Sequence, residues 1–335
     1  MGRELNEAIE DISFDAGSNY IIGNPGEDVS FTNSDTASLD FFDFNGDFHS
    51  VAPGQSYTLL ASQVGFPKVE RDYKGYEFLL RKAYRDDYQF QVSYVHSSTR
   101  GNYIGSTVPS GQVDPGITAL FDIPSTTVNG VGLLPQHRRH QFKFDGSYEF
   151  DFGLLTGMSY RYTSGGSFDA LGNPDTGNGA YSEFHLIPRG TAGNLPALTA
   201  VDLHLDYTMK FSGKMNLSLY ADVFNIFDFQ EATSVSRTFS NDAPDATWAD
   251  APWNAGLPAI STGNDHTDQV LYANRYYSWI EGRFASTNDL TTFYNNFTGP
   301  NTGGSTGLTV ETDTFGKPTN FQLGRRTRFG VRFRF

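Results

Sequence analysis

Two short stretches carry residue types that could do chemistry. Asp265, His266 and Asp268 place two carboxylates beside an imidazole, and such side chains can coordinate a metal ion. Their spacing fits no standard metal site and the segment is acidic, so a solvated loop is the favoured interpretation. Gly303-Gly-Ser-Thr-Gly307 matches the G-x-S-x-G pattern of a serine nucleophile, which needs a strand before it and a helix after it. Asn-, Thr- and Gly-rich sequence flanks it instead, so we predict no catalytic residue, no metal ligand and no cofactor.

A third stretch is basic. His137, Arg138, Arg139 and His140 could hold the phosphates of lipopolysaccharide at the outer leaflet of a bacterial outer membrane. The alternative is an interfacial basic anchor with no specific ligand, because basic side chains commonly reach from an apolar surface to water. Both interpretations require a membrane protein, so the sequence around these residues must contain membrane-spanning elements.

Composition favours strands and turns. The 335 residues include 29 Phe, 18 Tyr and 35 Gly against 19% charged residues, which predicts an all-β chain. No apolar run is long enough for a transmembrane helix, and the mean hydropathy of -0.41 does not exclude a membrane barrel, since only every second side chain of a barrel strand faces lipid. The net charge of -14 argues against a nucleic-acid partner, and zero cysteines exclude disulfides and Cys-based zinc sites.

Seven segments show the two-residue alternation of half-apolar strands. Their apolar positions are Tyr76, Phe78, Leu80 and Tyr84; Tyr88, Phe90, Val92 and Tyr94; Phe142, Phe144, Tyr148, Phe150 and Phe152; Leu154, Met158, Tyr160 and Tyr162; Val201, Leu203, Leu205, Tyr207, Met209 and Phe211; Leu217, Leu219, Ala221, Val223 and Phe227; and Phe329, Val331, Phe333 and Phe335.

The last of these segments predicts a membrane-spanning strand over Phe321 to Phe335. Its apolar residues Phe329, Val331, Phe333 and Phe335 should face lipid. Arginines on lipid would be costly, so Arg326, Arg328, Arg332 and Arg334 should face the lumen, where they can pair with acidic groups such as Asp222.

The connections alternate between short and long. Tight turns are predicted at Arg85-Asp86-Asp87, near Asp151-Phe152-Gly153 and at Ser212-Gly213, and long loops at 104–136, 167–197 and 229–320. Outer-membrane barrels have short periplasmic turns and long external loops, so these long loops should be extracellular. Residues 1–69 are then an extracellular loop or a remnant of an upstream strand, and residues 70–335 carry the barrel strands.

Closure of the sheet sets the expected size of the barrel. Every backbone polar group at bilayer depth must be paired, so a membrane sheet closes on itself. Seven or eight strands would close only a narrow barrel filled by side chains, whereas the long loops and polar inner faces here fit a wide one. We therefore expect an antiparallel transmembrane β-barrel of about 22 strands that is not closed within this chain. The chain opens without an export signal, so we also expect further sequence upstream.

Specific motifs resemble a known family. Ala221-Asp-Val-Phe-Asn-Ile-Phe-Asp228, with Asn225, Phe227 and Asp228, resembles the penultimate-strand motif of TonB-dependent receptors, and Gly324 to Phe335 resembles their terminal strand. Tyr73-Lys-Gly-Tyr-Glu77, Ser93-Tyr-Val-His-Ser97 and His140-Gln-Phe-Lys-Phe144 are similar to the Oar-like β-barrel group. Together these motifs cover residues 70 to 335.

The resemblance implies a bacterial outer-membrane protein that moves a large ligand and is not an enzyme. Its partners would be outer-membrane lipids and lipopolysaccharide. The barrel assembly machinery would read the terminal aromatic strand, where Phe335 occupies the last position. In this family an N-terminal plug fills the barrel and a TonB box contacts the TonB complex, and we find neither in this sequence.

Two other classes remain open. A standalone small outer-membrane barrel, acting as a porin or adhesin, would have to close within this chain. A soluble β-sandwich binding module would need a second packed sheet, which seven long strands do not readily supply.

Overall fold

A computed structural model describes residues 2–5, 10–13, 20–43, 45, 47–104, 121, 127, 129–172, 184–185, 187–211, 215–238, 258 and 314–335. The elements, in chain order, are β1 (Gly2–Leu5), β2 (Glu10–Ser13), β3 (Tyr20–Gly23), β4 (Val29–Thr32), β5 (Leu39–Phe42), β6 (Phe48–Val51), β7 (Ser56–Leu59), α1 (Ala61–Val64), β8 (Arg71–Arg85), β9 (Tyr88–Gly101), β10 (Gly132–Leu133), β11 (His140–Glu149), β12 (Leu154–Thr163), β13 (Ser167–Phe168), β14 (Leu171–Gly172), β15 (Phe184–His185), β16 (Gly193–Asn194), β17 (Leu198–Lys210), β18 (Asn216–Phe224), β19 (Ala232–Val235), β20 (Pro318–Phe321) and β21 (Arg326–Arg334).

The long strands form one antiparallel sheet, here called the main sheet. Its order is β1-β8-β9-β11-β12-β17-β18-β21, and β10 pairs with the far end of β9. The all-β, antiparallel fold class is therefore confirmed, and all seven segments of alternating sequence are strands of this sheet. β1 and β21 are its two edges and do not pair with each other, so the barrel is not closed within this chain.

Tight turns connect neighbouring strands at one end of the main sheet. Asp86 and Asp87 have φ of 56° and 67°, the left-handed pair of a two-residue type I′ turn, and they join β8 to β9. Gly153, with φ of 89°, ends the turn between β11 and β12. Both predicted turns are confirmed, whereas the one at Ser212-Gly213 lies outside the described residues.

The last strand is shorter than predicted. Phe321 belongs to β20, which pairs with β19, and β21 begins only at Arg326. Residues 322–325 are irregular because they contact the turn that follows β18: the Leu323 carbonyl accepts a hydrogen bond from Asn225 Nδ2 at 3.0 Å. The prediction of one strand from Phe321 to Phe335 was therefore wrong at its N-terminal end.

A second body of structure lies between β1 and β8. Strands β2–β7 form three antiparallel pairs, β2-β3, β4-β7 and β5-β6, and α1 adds one helical turn. We call these elements the hairpin module. Apolar side chains fill its interior, in a core made of Ile12, Val29, Phe41, Val51, Leu59, Val64, Phe66, Val69, Tyr103 and Phe121.

Candidate functional site

One face of the main sheet is apolar across its width. The register places Phe78, Tyr94, Phe142 and Tyr162 in one row of directly opposed residues, and a second row runs from Met158 through Leu203 to Val223. Many of these side chains are exposed, although apolar residues of a water-soluble sheet are normally covered. An apolar outer surface of this extent fits a lipid environment.

The terminal strand follows the same division. Phe329, Val331, Phe333 and Phe335 are 76%, 68%, 55% and 94% exposed, and the first three lie opposite Ala221, Leu219 and Leu217 on the apolar face. The arginines of β21 lie on the opposite, polar face. Contact of the four apolar residues with lipid stays a prediction.

The polar face carries charges of both signs. It includes Arg81, Lys143, Asp145, Arg161, Asp202, His204, Asp206, Asp222, Arg328 and Arg332, each opposite another polar-face residue in the strand register. A depression of about 410 Å³ opens among Arg81, Gln91, Asp145, Asp202, His204 and Asp222. In a closed barrel this face would line the interior.

An ion network on this face joins three strands. Asp222 on β18 lies 2.6 Å from His204 Nδ1 on β17, and its second oxygen accepts a hydrogen bond from Arg328 Nε on β21 at 2.8 Å. Arg328 Nη2 lies 2.7 Å from the same oxygen, and Arg332 lies 3.7 Å from Asp206. The prediction that terminal-strand arginines pair with acidic groups such as Asp222 is thus confirmed for Arg328. The carboxylate also binds an imidazole that the sequence did not indicate.

The turn after β18 is closed by the side chain of Asn225. This residue has φ of 51°, a conformation that asparagine tolerates better than most residues, and its side chain is buried. Its Oδ1 accepts the Phe229 N–H and its Nδ2 donates to the carbonyls of Phe229 and Leu323. Asp202 Oδ1 accepts the Asn225 N–H at 2.8 Å, so one residue joins β17, β18 and the approach to β21.

Asp228 completes this turn. It also has positive φ, at 58°, and its Oδ1 accepts the backbone N–H of Arg325 at 2.6 Å. This hydrogen bond lowers the pKa of Asp228. Phe227, the third residue of the motif, is 66% exposed and holds none of these contacts. Asn225 and Asp228 therefore have a structural role in the motif, which is to place the last strand.

The basic stretch contains both buried and accessible side chains. His137 is buried, its Nδ1 accepts the Thr99 N–H at 3.2 Å, and burial together with Arg139, Arg138 and Arg100 lowers its pKa. Arg138 donates to the carbonyls of Pro135 and His137. Arg139 is exposed and His140 is half-buried, so these two are the accessible members, and contact with lipopolysaccharide stays a prediction.

Residues distant in sequence form a buried ionic cluster beyond the strand ends, here called the loop cluster: Asp169, His185, Arg189 and Arg237. Asp169 lies 3.7 Å from His185 and 3.5 Å from Arg237, and it accepts the Gly190 N–H at 2.6 Å. Burial opposes ionisation of Asp169, but His185, Arg189 and the Gly190 N–H outweigh it and lower its pKa to about 2. Burial, reinforced by Arg189, lowers the pKa of His185 to about 4. This cluster is not recognisable from the sequence, because its members lie as far apart as positions 169 and 237.

Within the described ranges no group of three or more His, Cys, Asp or Glu residues could hold a metal ion. The Asp265, His266 and Asp268 cluster and Gly303 to Gly307 lie outside the described residues. No helix in the part of the chain that the structure describes is long and apolar enough to cross a membrane.

Parts of this chain are similar to known proteins. No protein-family model matches the sequence. The chain is 30% identical over 245 residues to the TonB-dependent transporter Oar of Myxococcus xanthus, a match that covers 71% of this chain and 20% of that transporter. The crystal structure of the ferric-catecholate import receptor Fiu from E. coli K12, in its closed form, matches 63% of this chain and 21% of the receptor, at 15% identity and a TM-score of 0.32. This chain thus spans about a fifth of the length of each.

Proposed function

We propose that this chain, which belongs to the TonB-dependent receptor family, forms part of the wall of an outer-membrane barrel that moves a large ligand across the membrane. It performs no catalysis in this role. Its apolar face contacts outer-membrane lipid, and its polar face lines a barrel of about 22 strands.

The opposed faces of the main sheet carry this proposal. Apolar residues lie opposite one another from β8 to β21 on one side, and the Asp222 network lies on the other. Such a sheet pairs the backbone groups between its neighbouring strands and presents hydrocarbon outward, as a lipid environment requires. The open edges of β1 and β21 argue against a standalone small porin or adhesin, which would need them to pair.

The partners are part of the same proposal. The lipid partners include lipopolysaccharide, which contacts the outer end of β11 near His140. The aromatic terminal strand is read by the barrel assembly machinery, and a TonB complex acts through a plug region on the same polypeptide. The long connections at 104–136, 167–197 and 229–320 lie outside the cell.

Single cysteines can test the orientation, because the chain has none of its own. A nitroxide label at Phe329→Cys, Val331→Cys or Phe333→Cys should be relaxed by oxygen dissolved in lipid. A label at the matched positions Arg328→Cys and Arg332→Cys should be relaxed by a water-soluble nickel complex. The measurement is made in outer-membrane vesicles, so only assembled protein contributes.

A periodicity of two along β21 is the expected result. If all five labels are accessible to the nickel complex, the strand is in water and the β-sandwich class is favoured instead. If all five are relaxed by oxygen alone, the polar face does not line a hydrated interior, and the transport role fails.

A further inference from the structure

Two imidazoles lie side by side on the apolar face of the main sheet. His96 on β9 and His140 on β11 are directly opposite each other, and their ring centroids are 5.0 Å apart. The adjacent pair, Ser97 and Arg139, is the hydrogen-bonded one, with Ser97 N donating to Arg139 O at 3.0 Å. His96 and His140 therefore form a non-hydrogen-bonded pair, the type in which cross-strand side chains approach most closely.

The separation of the rings fits a chelate. Two imidazole nitrogens that bind one ion at about 2.0–2.1 Å, with an angle of roughly 90–110° between the bonds, hold their ring centroids about 4.5–5.2 Å apart. The observed 5.0 Å lies in that interval. A rotation of the exposed His96 ring can complete the geometry without a change in the backbone.

Tyr94 orients the second ring. Its hydroxyl oxygen lies 2.8 Å from His140 Nδ1, and the two rings stack with centroids 6.2 Å apart. In the tautomer with its proton on Nδ1, His140 donates to this oxygen and keeps a lone pair on Nε2. Histidine ligands of metals usually have such an oxygen partner on the second nitrogen, which fixes the ring.

Two cations and one carboxylate lie near the pair on this face. Lys74, diagonal to His96 on β8, lies 2.6 Å from Asp72, so a carboxylate accompanies that ammonium group. Arg100 is on the same face, four residues beyond His96 and opposite Asp72. Arg139, next to His140 in sequence, belongs to the other face. No other described side chain hydrogen-bonds to either imidazole, so the His96 ring can rotate toward an ion while Tyr94 holds the His140 ring.

We propose that His96 and His140 bind a divalent first-row transition-metal ion, with Tyr94 as the residue that positions His140 and water in the remaining coordination positions. Imidazole ligands suit Zn²⁺, Ni²⁺ and Cu²⁺, and the ordinary affinity order makes Cu²⁺ the tightest of the three. The site lies on the strand ends away from the tight turns, where it is open to solvent-borne ions.

Copper titration of the full chain in detergent micelles tests the proposal. We expect one Cu²⁺ per chain, with an electron paramagnetic resonance spectrum that shows two imidazole nitrogens. His96→Gln and His140→Gln should each weaken binding about tenfold or more, and Tyr94→Phe should weaken it by about tenfold while leaving two nitrogens in the spectrum. His204→Gln is the matched control, because that imidazole already binds Asp222, and it should leave the affinity unchanged.

Three outcomes would overturn the site. Equal affinity in wild type, His96→Gln and His140→Gln would place the copper elsewhere on the chain. A spectrum with one nitrogen would exclude the chelate. A third contradicting result would be that the wild type binds inorganic phosphate tightly but not copper, and that His96→Gln and His140→Gln lose the phosphate. The pair would then be an anion site. Retained β-sheet circular dichroism in each variant separates loss of the ligand from loss of the fold.

Discussion

The hairpin module buries its apolar residues, whereas the main sheet exposes them. In the module Phe41, Val51 and Leu59 are at most 2% exposed, as in a water-soluble domain. In the main sheet Tyr76, Phe329 and Val331 are more than two-thirds exposed, and the buried side chains include Asp206, Ser218 and Asp222. One chain thus follows the rule for water in one region and the rule for lipid in the other.

The largest expected effect concerns the core of the module. Phe41 packs its ring 5.2 Å from that of His49 and 6.1 Å from that of Phe31. Phe41→Ala should cost about 3–5 kcal/mol of local stability, the range for truncating a buried aromatic side chain. Hydrogen exchange should accelerate in β4–β7 and stay slow in β17. Phe48→Ala, at a 59% exposed position of the same hairpin, is the control. Equal acceleration in β17 would show that module and sheet unfold as one unit.

The outer face of the sheet should be sensitive to charge in lipid. Val331→Arg places a guanidinium group on the apolar face, where the cost is about 2–4 kcal/mol at the bilayer midplane and less near the interfaces. Gln91→Arg adds the same group on the polar face, opposite Asp145, and should cost little. Urea unfolding from phospholipid vesicles measures both. If the two variants unfold at the same urea concentration, the distinction between the faces is wrong.

The loop cluster should loosen in acid, because the folded state lowers the pKa values of His185 and Asp169. His185 keeps a folded-state pKa of about 4, below its ordinary 6.5, so the unfolded form gains protons first as the pH falls through that interval. Asp169 has a folded-state pKa of about 2, below its ordinary 3.8. Its contribution to the stability of the folded state is therefore present above pH 3.8 and is lost as the pH falls from 3.8 to about 2. Protonation of His185 and of Asp169 therefore each lowers the stability of the folded loop cluster on acidification.

Proteolysis of the loops between pH 7 and 4 provides the measurement. Cleavage near residues 167–171 should therefore increase with acid. His185→Gln removes the titrating group and should flatten the response above pH 4. A response unchanged in that variant would assign the acid sensitivity to other groups.

Alternation predicted the main sheet because each long strand repeats, about five times, the placing of an apolar side chain on one face and a polar side chain on the other. The module lacks that repetition, since its strands are four residues long and their apolar positions do not distinguish a hairpin from a loop. The expected pairing of terminal-strand arginines with an acid such as Asp222 holds for Arg328, because alternation puts these arginines and Asp222 on the same face of the sheet. His204 was missed because register, which sequence does not specify, decides which residue lies opposite Asp222. The loop cluster was missed for the same reason over longer separations.

The smallest effect is expected at the polar face of the terminal strand. β21 pairs with β18 on one edge, and no described strand pairs with its other edge, so its side-chain contacts matter more than those of a central strand. Asp222→Asn keeps the shape of the side chain but removes the charge that His204 and Arg328 share. We expect a loss of about 1–2 kcal/mol, the scale of a charged hydrogen bond near solvent. Amide exchange should rise in β21 and stay unchanged in β11. Asp145→Asn is the control, because Asp145 lies on the same face without an ion pair among the described residues. If amide exchange in β21 is equal in the two variants, backbone pairing with β18 alone holds this strand. The network of Asp222, His204 and Arg328 would then line the interior without fixing β21 at the edge of the sheet.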